Sequence, residues 1–234
     1  MGDRDAKDAL YDGFAEMAKA LANGRRAELV DVLAQGERHV DELADEIAQS
    51  VANTSFHLRT LAGVGLVTTR RQGTRIYYRL ASERVAALWT AMRGVAVEHL
   101  ATIDALTSAY LGNRRGIDEI GREELARRLR DDTLIVLDVR PTAEYAAGHI
   151  AGARSIPLDE LAEHVAALPA DADIVAYCRG PFCVFADDAV RLLRRRRRRA
   201  RRLTDGYPEW RDDGLPVESG PVVAELRPAF ERGR

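Results

Sequence analysis

The 234 residues include only two cysteines, Cys178 and Cys183, five positions apart. A secreted scaffold stapled by disulfides would carry more of them, spread along the chain, so a covalent framework is excluded. No apolar run approaches the roughly 20 residues that a membrane-spanning helix needs. The start, Met1-Gly2-Asp3-Arg4-Asp5, is polar and has no hydrophobic signal core behind it. Lysine is almost missing: of 35 basic residues only Lys7 and Lys19 are lysines. The expected setting is the cytoplasm, with no membrane partner. There a close thiol pair more often means redox, sulfur or metal chemistry than a staple.

What is present suffices for folding. Apolar residues make up 46% of the chain, and 35 basic residues nearly balance 37 acidic ones. The balance excludes a uniformly basic protein but not a local basic face. Ala9, Leu10, Phe14, Met17, Ala18 and Leu21 recur at helical spacing over 6–22. Further helices are predicted over 25–34, 40–48 and 51–62. Short β-like stretches, 66–70 and 75–80, follow around Arg71-Gln72-Gly73-Thr74, a hairpin with glycine at its turn. One long helix then runs over 82–111, and Gly112-Asn113-Arg114-Arg115-Gly116 breaks it. Beyond, apolar runs at 134–139 and 173–177 alternate with helical stretches at 122–129, 158–168 and 184–195, as in an α/β domain with a parallel sheet. The predicted domains are 1–112 and 117–218. The chain after about Pro216, with a tail assigned to 219–234, shows little periodicity and is expected to lie on the surface or fray.

Between Val51 and Ser82 there are five arginines, Arg59, Arg70, Arg71, Arg75 and Arg79, and no acid. The segment is a helix plus a hairpin, a concentrated positive unit of the kind phosphates attract. Asn53, Thr54, Ser55 and His57 are short polar groups suited to base edges; as plain surface charge the segment would only be solvated. Ser55-Phe56-His57-Leu58-Arg59, Gly65-Leu66-Val67 and Gly73-Thr74-Arg75-Ile76-Tyr77-Tyr78, set in this element order, resemble the ArsR family of winged-helix repressors over about 6–110. The resemblance implies a winged helix-turn-helix, mainly α. It also implies a homodimer built by the first and last helices, and a palindromic double-stranded operator contacted through Asn53, Thr54, Ser55, His57, Arg59, Arg70, Arg71 and Arg75. Metal-sensing members carry Cys-Val-Cys in the third helix. Arg38-His39-Val40-Asp41-Glu42-Leu43 has no cysteine there, and Glu98, His99 and Asp104 poorly match a second ligand set. No metal or cofactor is expected.

The run Ile174-Val175-Ala176-Tyr177-Cys178-Arg179-Gly180-Pro181-Phe182-Cys183-Val184 places a cysteine between a strand and a helix start. Inward N–H groups and the helix dipole stabilise an anion in such a loop, which lowers a thiol pKa. Arg179 adds positive charge. As small core hydrophobes the two cysteines would be inert. The run resembles the active-site loop of rhodaneses, sulfurtransferases that carry sulfur as a cysteine persulfide. Leu137-Asp138-Val139-Arg140-Pro141 through Ile156-Pro157, and Gly206-Tyr207-Pro208-Glu209-Trp210 through Val217, extend the match over about 117–218. The resemblance implies an α/β rhodanese-like domain with Cys178, Arg179, Gly180, Asp138 and Arg140 as catalytic residues. Phosphatases and arsenate reductases of this fold need an arginine six positions after the cysteine, and Val184 stands there. Cys183 is a resolving thiol or a bystander. Six consecutive arginines, Arg194–Arg199, are either a polyanion contact or a solvated helix end, and the second reading is favoured.

The expected function is a repressor that senses or transfers sulfane sulfur, from thiosulfate, polysulfide or a low-molecular-weight persulfide, through a Cys178 persulfide. Its signal would pass along the long helix ending near Leu111. One alternative is chiefly a sulfurtransferase with an independent DNA-binding domain. Another is an arsenic- or metal-responsive regulator using Cys178 and Cys183.

Overall fold

Residues 3–131 and 133–221 are described by the computed structural model, and the chain divides into two units. The first takes the chain up to Gly116 together with Arg179–Val184 and Asp205–Leu215. The second takes Ile117–Cys178, Phe185–Thr204 and the described residues from Pro216 on.

In the first unit α1 (Arg4–Leu21) precedes α2 (Gly24–Leu33). Asn23 separates them because its side chain caps α2, accepting from the Arg25 and Arg26 amides. Then come β1 (Arg38–His39), α3 (Val40–Glu46), α4 (Val51–Gly63) and the hairpin β2 (Val67–Gln72) and β3 (Arg75–Leu80). Ser50 caps α4 through the Asn53 amide at 3.2 Å. Leu29, Val30, Leu43, Ile47, Leu58, Leu61, Leu66 and Tyr78 form the buried core that fixes α4 and the hairpin. The hairpin turns at Gly73, with φ of +61°. Its first strand reaches two residues further into the turn than predicted, because Arg71↔Ile76 and Gln72↔Arg75 still pair.

The single long helix expected over 82–111 is two: α5 (Glu83–His99) and α6 (Thr102–Leu111). Leu100 turns extended between them, and α6 begins with an acid, Asp104, in its first turn. No glycine or proline marks the break, so local composition gives no sign of it. The first unit also holds α11 (Tyr207–Asp212), which comes late in the chain, after most of the second unit's elements.

The second unit contains β4 (Glu119–Ile120), α7 (Arg122–Arg128), β5 (Leu134–Asp138), α8 (Thr142–Ala147), β6 (His149–Ile150), β7 (Arg154–Ser155), α9 (Leu161–His164), β8 (Asp173–Tyr177), α10 (Phe185–Arg195), β9 (Arg199–Leu203) and β10 (Val217–Glu218). Five strands form one parallel sheet in the order β4-β9-β8-β5-β7. The central strands β5 and β8 are almost wholly buried, which is why they read as unbroken apolar runs. The stretch after Pro216, expected to be irregular, first pairs β10 with β6 before Gly220 donates to the Ala146 carbonyl at 3.0 Å. Of the tail, residues 222–234 lie outside the described residues.

The arginine run is divided by the fold. Arg194 and Arg195 end α10, Arg199 opens β9, and Arg197 sits in the turn between with φ of +60°. Its members meet acids and carbonyls: Arg194 pairs with Asp118, Arg199 donates to the Asp171 carbonyl, and nearby Arg201 pairs with Asp173. Arg202, 2% exposed, reaches Glu119 at 3.1 Å and the buried Asp187 at 3.3 Å. Within the run itself Arg195, Arg196 and Arg197 are exposed, and these contacts belong to Arg194 and Arg199 and to Arg201 and Arg202 beyond it.

Candidate functional site

Cys178 stands directly after β8, at the carboxyl end of the central parallel strands, where ligands of α/β sheets are bound. It is 1% exposed. Beneath it lies a buried polar network. Arg140 clasps Asp138 in a two-pronged ion pair (2.5–3.1 Å) and donates to the Gly148 carbonyl at 2.7 Å. The Tyr177 hydroxyl donates to Asp138 at 2.6 Å and accepts from the Ile150 amide at 3.1 Å. Burial, with Asp138 alongside, pushes the Tyr177 phenol well above its ordinary range. Burial opposes the Arg140 charge, but the Asp138 carboxylate outweighs it and raises the guanidinium pKa. Asp138 and Arg140 have no exposed side-chain surface. They bear on Cys178 through Tyr177, the residue before it.

The Val139 amide donates to the Tyr177 carbonyl at 3.2 Å. Val139 also walls a hollow of about 370 Å³ with Pro141, Pro157, Leu158 and Phe185, and Asp159, Glu160 and Thr142 supply its polar lining. No basic side chain lines it.

The loop after Cys178 belongs to the first unit. Cys183 is half-buried, and its amide closes a turn on the Gly180 carbonyl at 3.2 Å; both cysteines are free thiols. Arg179 does not project into solvent: its side chain is 11% exposed, and its guanidinium forms a two-pronged ion pair with Glu46, at the end of α3. Arg179's donation holds the Glu46 carboxyl below the usual carboxylate range. Gly180 has φ of +155°, and a Cβ there would meet the Glu209 carboxylate at 3.5 Å. The backbone of Arg179 and Gly180 lies against Gly206, where an added methyl would drive into the Gly180 amide. The sequence run beginning at Gly206 thus packs on the cysteine loop. Glu209 caps it by accepting from the Gly206 amide at 3.0 Å and pairs with Arg93 of α5. Burial raises the Glu209 carboxyl pKa, partly offset by Arg93.

Sequence reasoning did not single out Gln35, Glu46, Arg93 or Arg114. Gln35 donates to the Arg179 carbonyl at 3.4 Å, and Arg114 to those of Pro181 (2.8 Å) and Cys183 (3.2 Å). Arg93 also lies over the Phe182 ring. Their partners are 67 to 144 residues away along the chain, so no local spacing could have shown them.

On α4, Asn53 and Arg59 are exposed, and Ser55 and His57 partly so. Thr54 is a correction to the expected base-reading set: it is fully buried, and its hydroxyl donates to the Ser50 carbonyl at 3.0 Å. It shares a helix face with Leu58 and Leu61, at i+4 and i+7, and so faces the core. Arg71 and Arg75 are exposed on the hairpin. Arg70 is held by Glu37, with Nη2 at 2.5 Å from Oε2, and stacks on Tyr77. Among the described residues no group of three or more His, Cys, Asp or Glu could hold a metal ion, and no helix is long and apolar enough to cross a membrane.

Comparison with known proteins matches both parts. The bacterial regulatory protein, arsR family, matches residues 23–69, and the rhodanese-like domain matches 121–213. The chain is 49% identical to the HTH-type transcriptional regulator Rv0324 of Mycobacterium tuberculosis, covering 95% of this chain and 97% of that one. It is 31% identical to a sulfurtransferase of Allochromatium vinosum, over 43% of this chain and 94% of that protein. Among solved structures, the homodimeric winged helix-turn-helix domain of Mb0332 from Mycobacterium bovis is 48% identical. It covers 43% of this chain and 93% of that one, with a TM-score of 0.40. With winged-helix elements in its first unit and a parallel α/β sheet in its second, the chain belongs to the ArsR-family transcriptional regulators that carry a rhodanese-like domain.

Proposed function

We propose that this regulator senses sulfane sulfur at Cys178 and changes its operator affinity in response. The observation that carries the reading is the placement of thiols: both lie at the cysteine loop, and the winged-helix stretch, with its exposed arginines, has none. The Cys178 thiolate attacks the outer sulfur of a donor persulfide RSSH. A Cys178 sulfur–sulfur bond forms, the donor's bond breaks, and RS⁻ leaves. With thiosulfate the leaving group is sulfite. The Cys183 thiolate can then attack the Cys178 sulfur, closing a disulfide and releasing hydrosulfide.

The operator-binding form is a homodimer. Leu10, Tyr11, Phe14 and Met17 of α1 and Leu88, Met92 and Val95 of α5 are all at least 38% exposed, an apolar surface that a second copy would cover. The Mycobacterium bovis relative is homodimeric.

The test is operator binding before and after polysulfide treatment. The wild-type protein is expected to lose affinity about fivefold or more, a typical allosteric coupling, while Cys178→Ser stays unchanged. An equal response in Cys178→Ser, or none in the wild type, overturns the reading. Resemblance to the Allochromatium sulfurtransferase favours a second reading, a turnover enzyme. Sustained cyanide:thiosulfate turnover would select it, and a stoichiometric burst would select the sensor.

A further inference from the structure

Three carbonyls of the cysteine loop are taken by side chains from the first 116 residues. Gln35, 2% exposed, donates to the Arg179 carbonyl, and the Arg114 guanidinium bridges those of Pro181 and Cys183. In a trans peptide the N–H points opposite to the C=O, and no cis bond occurs among the described residues. Anchoring these carbonyls therefore turns the amides of Gly180, Phe182 and Val184 away from Gln35 and Arg114. Those three amides alternate along the loop that leaves Cys178 and returns at Phe185, a spacing that lets a curled loop aim them at one anion.

The loop has one further hold. Arg179 and Glu46 form a two-pronged ion pair, and Glu46 stands four residues before Ser50, the cap of α4. Cys178 precedes Arg179 and is 1% exposed, so a sulfur atom added to it has to displace its neighbours. A shift of these peptides must stretch the contacts to Gln35, Arg114 and Glu46.

We propose that Arg114 and Gln35 are positioning residues of the Cys178 loop, supplied by the winged-helix part of the chain, and that the Arg179–Glu46 pair passes the loop's displacement to the operator-reading helix α4. The second half rests on the sulfur-sensing reading; the first half does not. The residues act on the Cys178 sulfur only through the backbone of the loop.

Two measurements on the full-length protein separate these parts. The first follows alkylation of Cys178 by iodoacetamide against pH, read by mass spectrometry of its peptide in a Cys183→Ser background. Arg114→Ala is expected to move the midpoint of that profile upward and to slow alkylation at neutral pH about threefold or more, with Gln35→Ala moving it less and Arg114→Lys recovering part of the loss. A residue that merely stabilises the fold would not move the midpoint, and an unmoved midpoint in Arg114→Ala with native circular dichroism overturns the positioning role.

The second measurement is operator affinity with and without polysulfide. Glu46→Gln and Arg179→Gln are each expected to cut the response to less than half the wild-type fold-change, and the double variant to add nothing further, as one shared path requires. A wild-type response in Glu46→Gln overturns the transmission step. A wild-type protein that ignores polysulfide overturns both the transmission step and the sulfur-sensing reading, while the pH profile still decides the role of Arg114.

Discussion

Tyr177 joins the two kinds of residue that make the thiol site. Its backbone carries Cys178, and its hydroxyl is locked to the buried Asp138–Arg140 pair. Such a network is costly if half satisfied and rigid if complete; here each of the three side chains has a partner. A single strained residue lies elsewhere in the same unit. Arg197 holds φ of +60°, where a Cβ crowds the following carbonyl at a cost of about 1 kcal/mol. Glycine carries no such penalty, so Arg197→Gly is expected to raise stability by about 1 kcal/mol in urea unfolding. No change, or a loss, would show that the Arg197 side chain contributes more than its backbone costs. The sequence already marked Cys178 by its neighbours. It did not disclose that Thr54 faces the core, although its spacing to Leu58 and Leu61 held that information. Asn53 and Ser55 beside it are polar as well, so polarity alone does not separate the buried member from its more exposed neighbours.

The recognition helix and hairpin were legible as elements because each has its own period: 3.6 for α4 with its Ser50 cap, two for the β strands around Gly73. Two-residue strands such as β1, β4 and β6 have no period to read, and the break at Leu100 carries no breaker residue. Charge on the hairpin was legible in amount but not in availability. Glu37 precedes β1, which pairs with β3, and the folded sheet brings it to Arg70. Arg70's donation holds the Glu37 carboxyl below its usual range, so the pair stays ionised at neutral pH. A guanidinium already neutralised in this way releases few counterions on meeting a phosphate. Arg75→Ala is therefore expected to flatten the slope of log affinity against log salt by about 0.9 for each phosphate that residue 75 no longer neutralises. Arg70→Ala should leave the slope nearly unchanged. Equal flattening by both would mean that DNA breaks the Glu37 pair on binding. Arg71, which reaches back to the Gly73 carbonyl at 3.0 Å and is otherwise exposed, should behave as Arg75 does.

Across the whole molecule, what matters is whether sulfur chemistry and operator binding share free energy. Sequence showed the two parts and the thiols, because family motifs are local; it could not show contacts between residues as far apart as Glu46 and Arg179. Thermodynamic linkage makes that coupling measurable from the other end. If persulfidation of Cys178 weakens operator binding by a given factor, bound operator must disfavour persulfidation by the same factor. In a buffer of fixed persulfide-to-thiol ratio, Cys178 exchanges with the donor pair and reaches a defined fraction of persulfide. Saturating operator duplex is expected to move the midpoint of that exchange toward higher donor ratio, about fivefold or more, in a Cys183→Ser background that prevents disulfide closure. A duplex of scrambled sequence, bound weakly, should move it less. A midpoint that stays fixed under operator sets the coupling factor at one. The two parts would then act independently, whatever the protein does with sulfur, and Cys178 would be a transfer site on a regulator that takes its signal elsewhere. A shift that matches the loss of operator affinity would close the cycle from two separate measurements, and its disappearance in Glu46→Gln would assign the shared free energy to the contact with the cysteine loop.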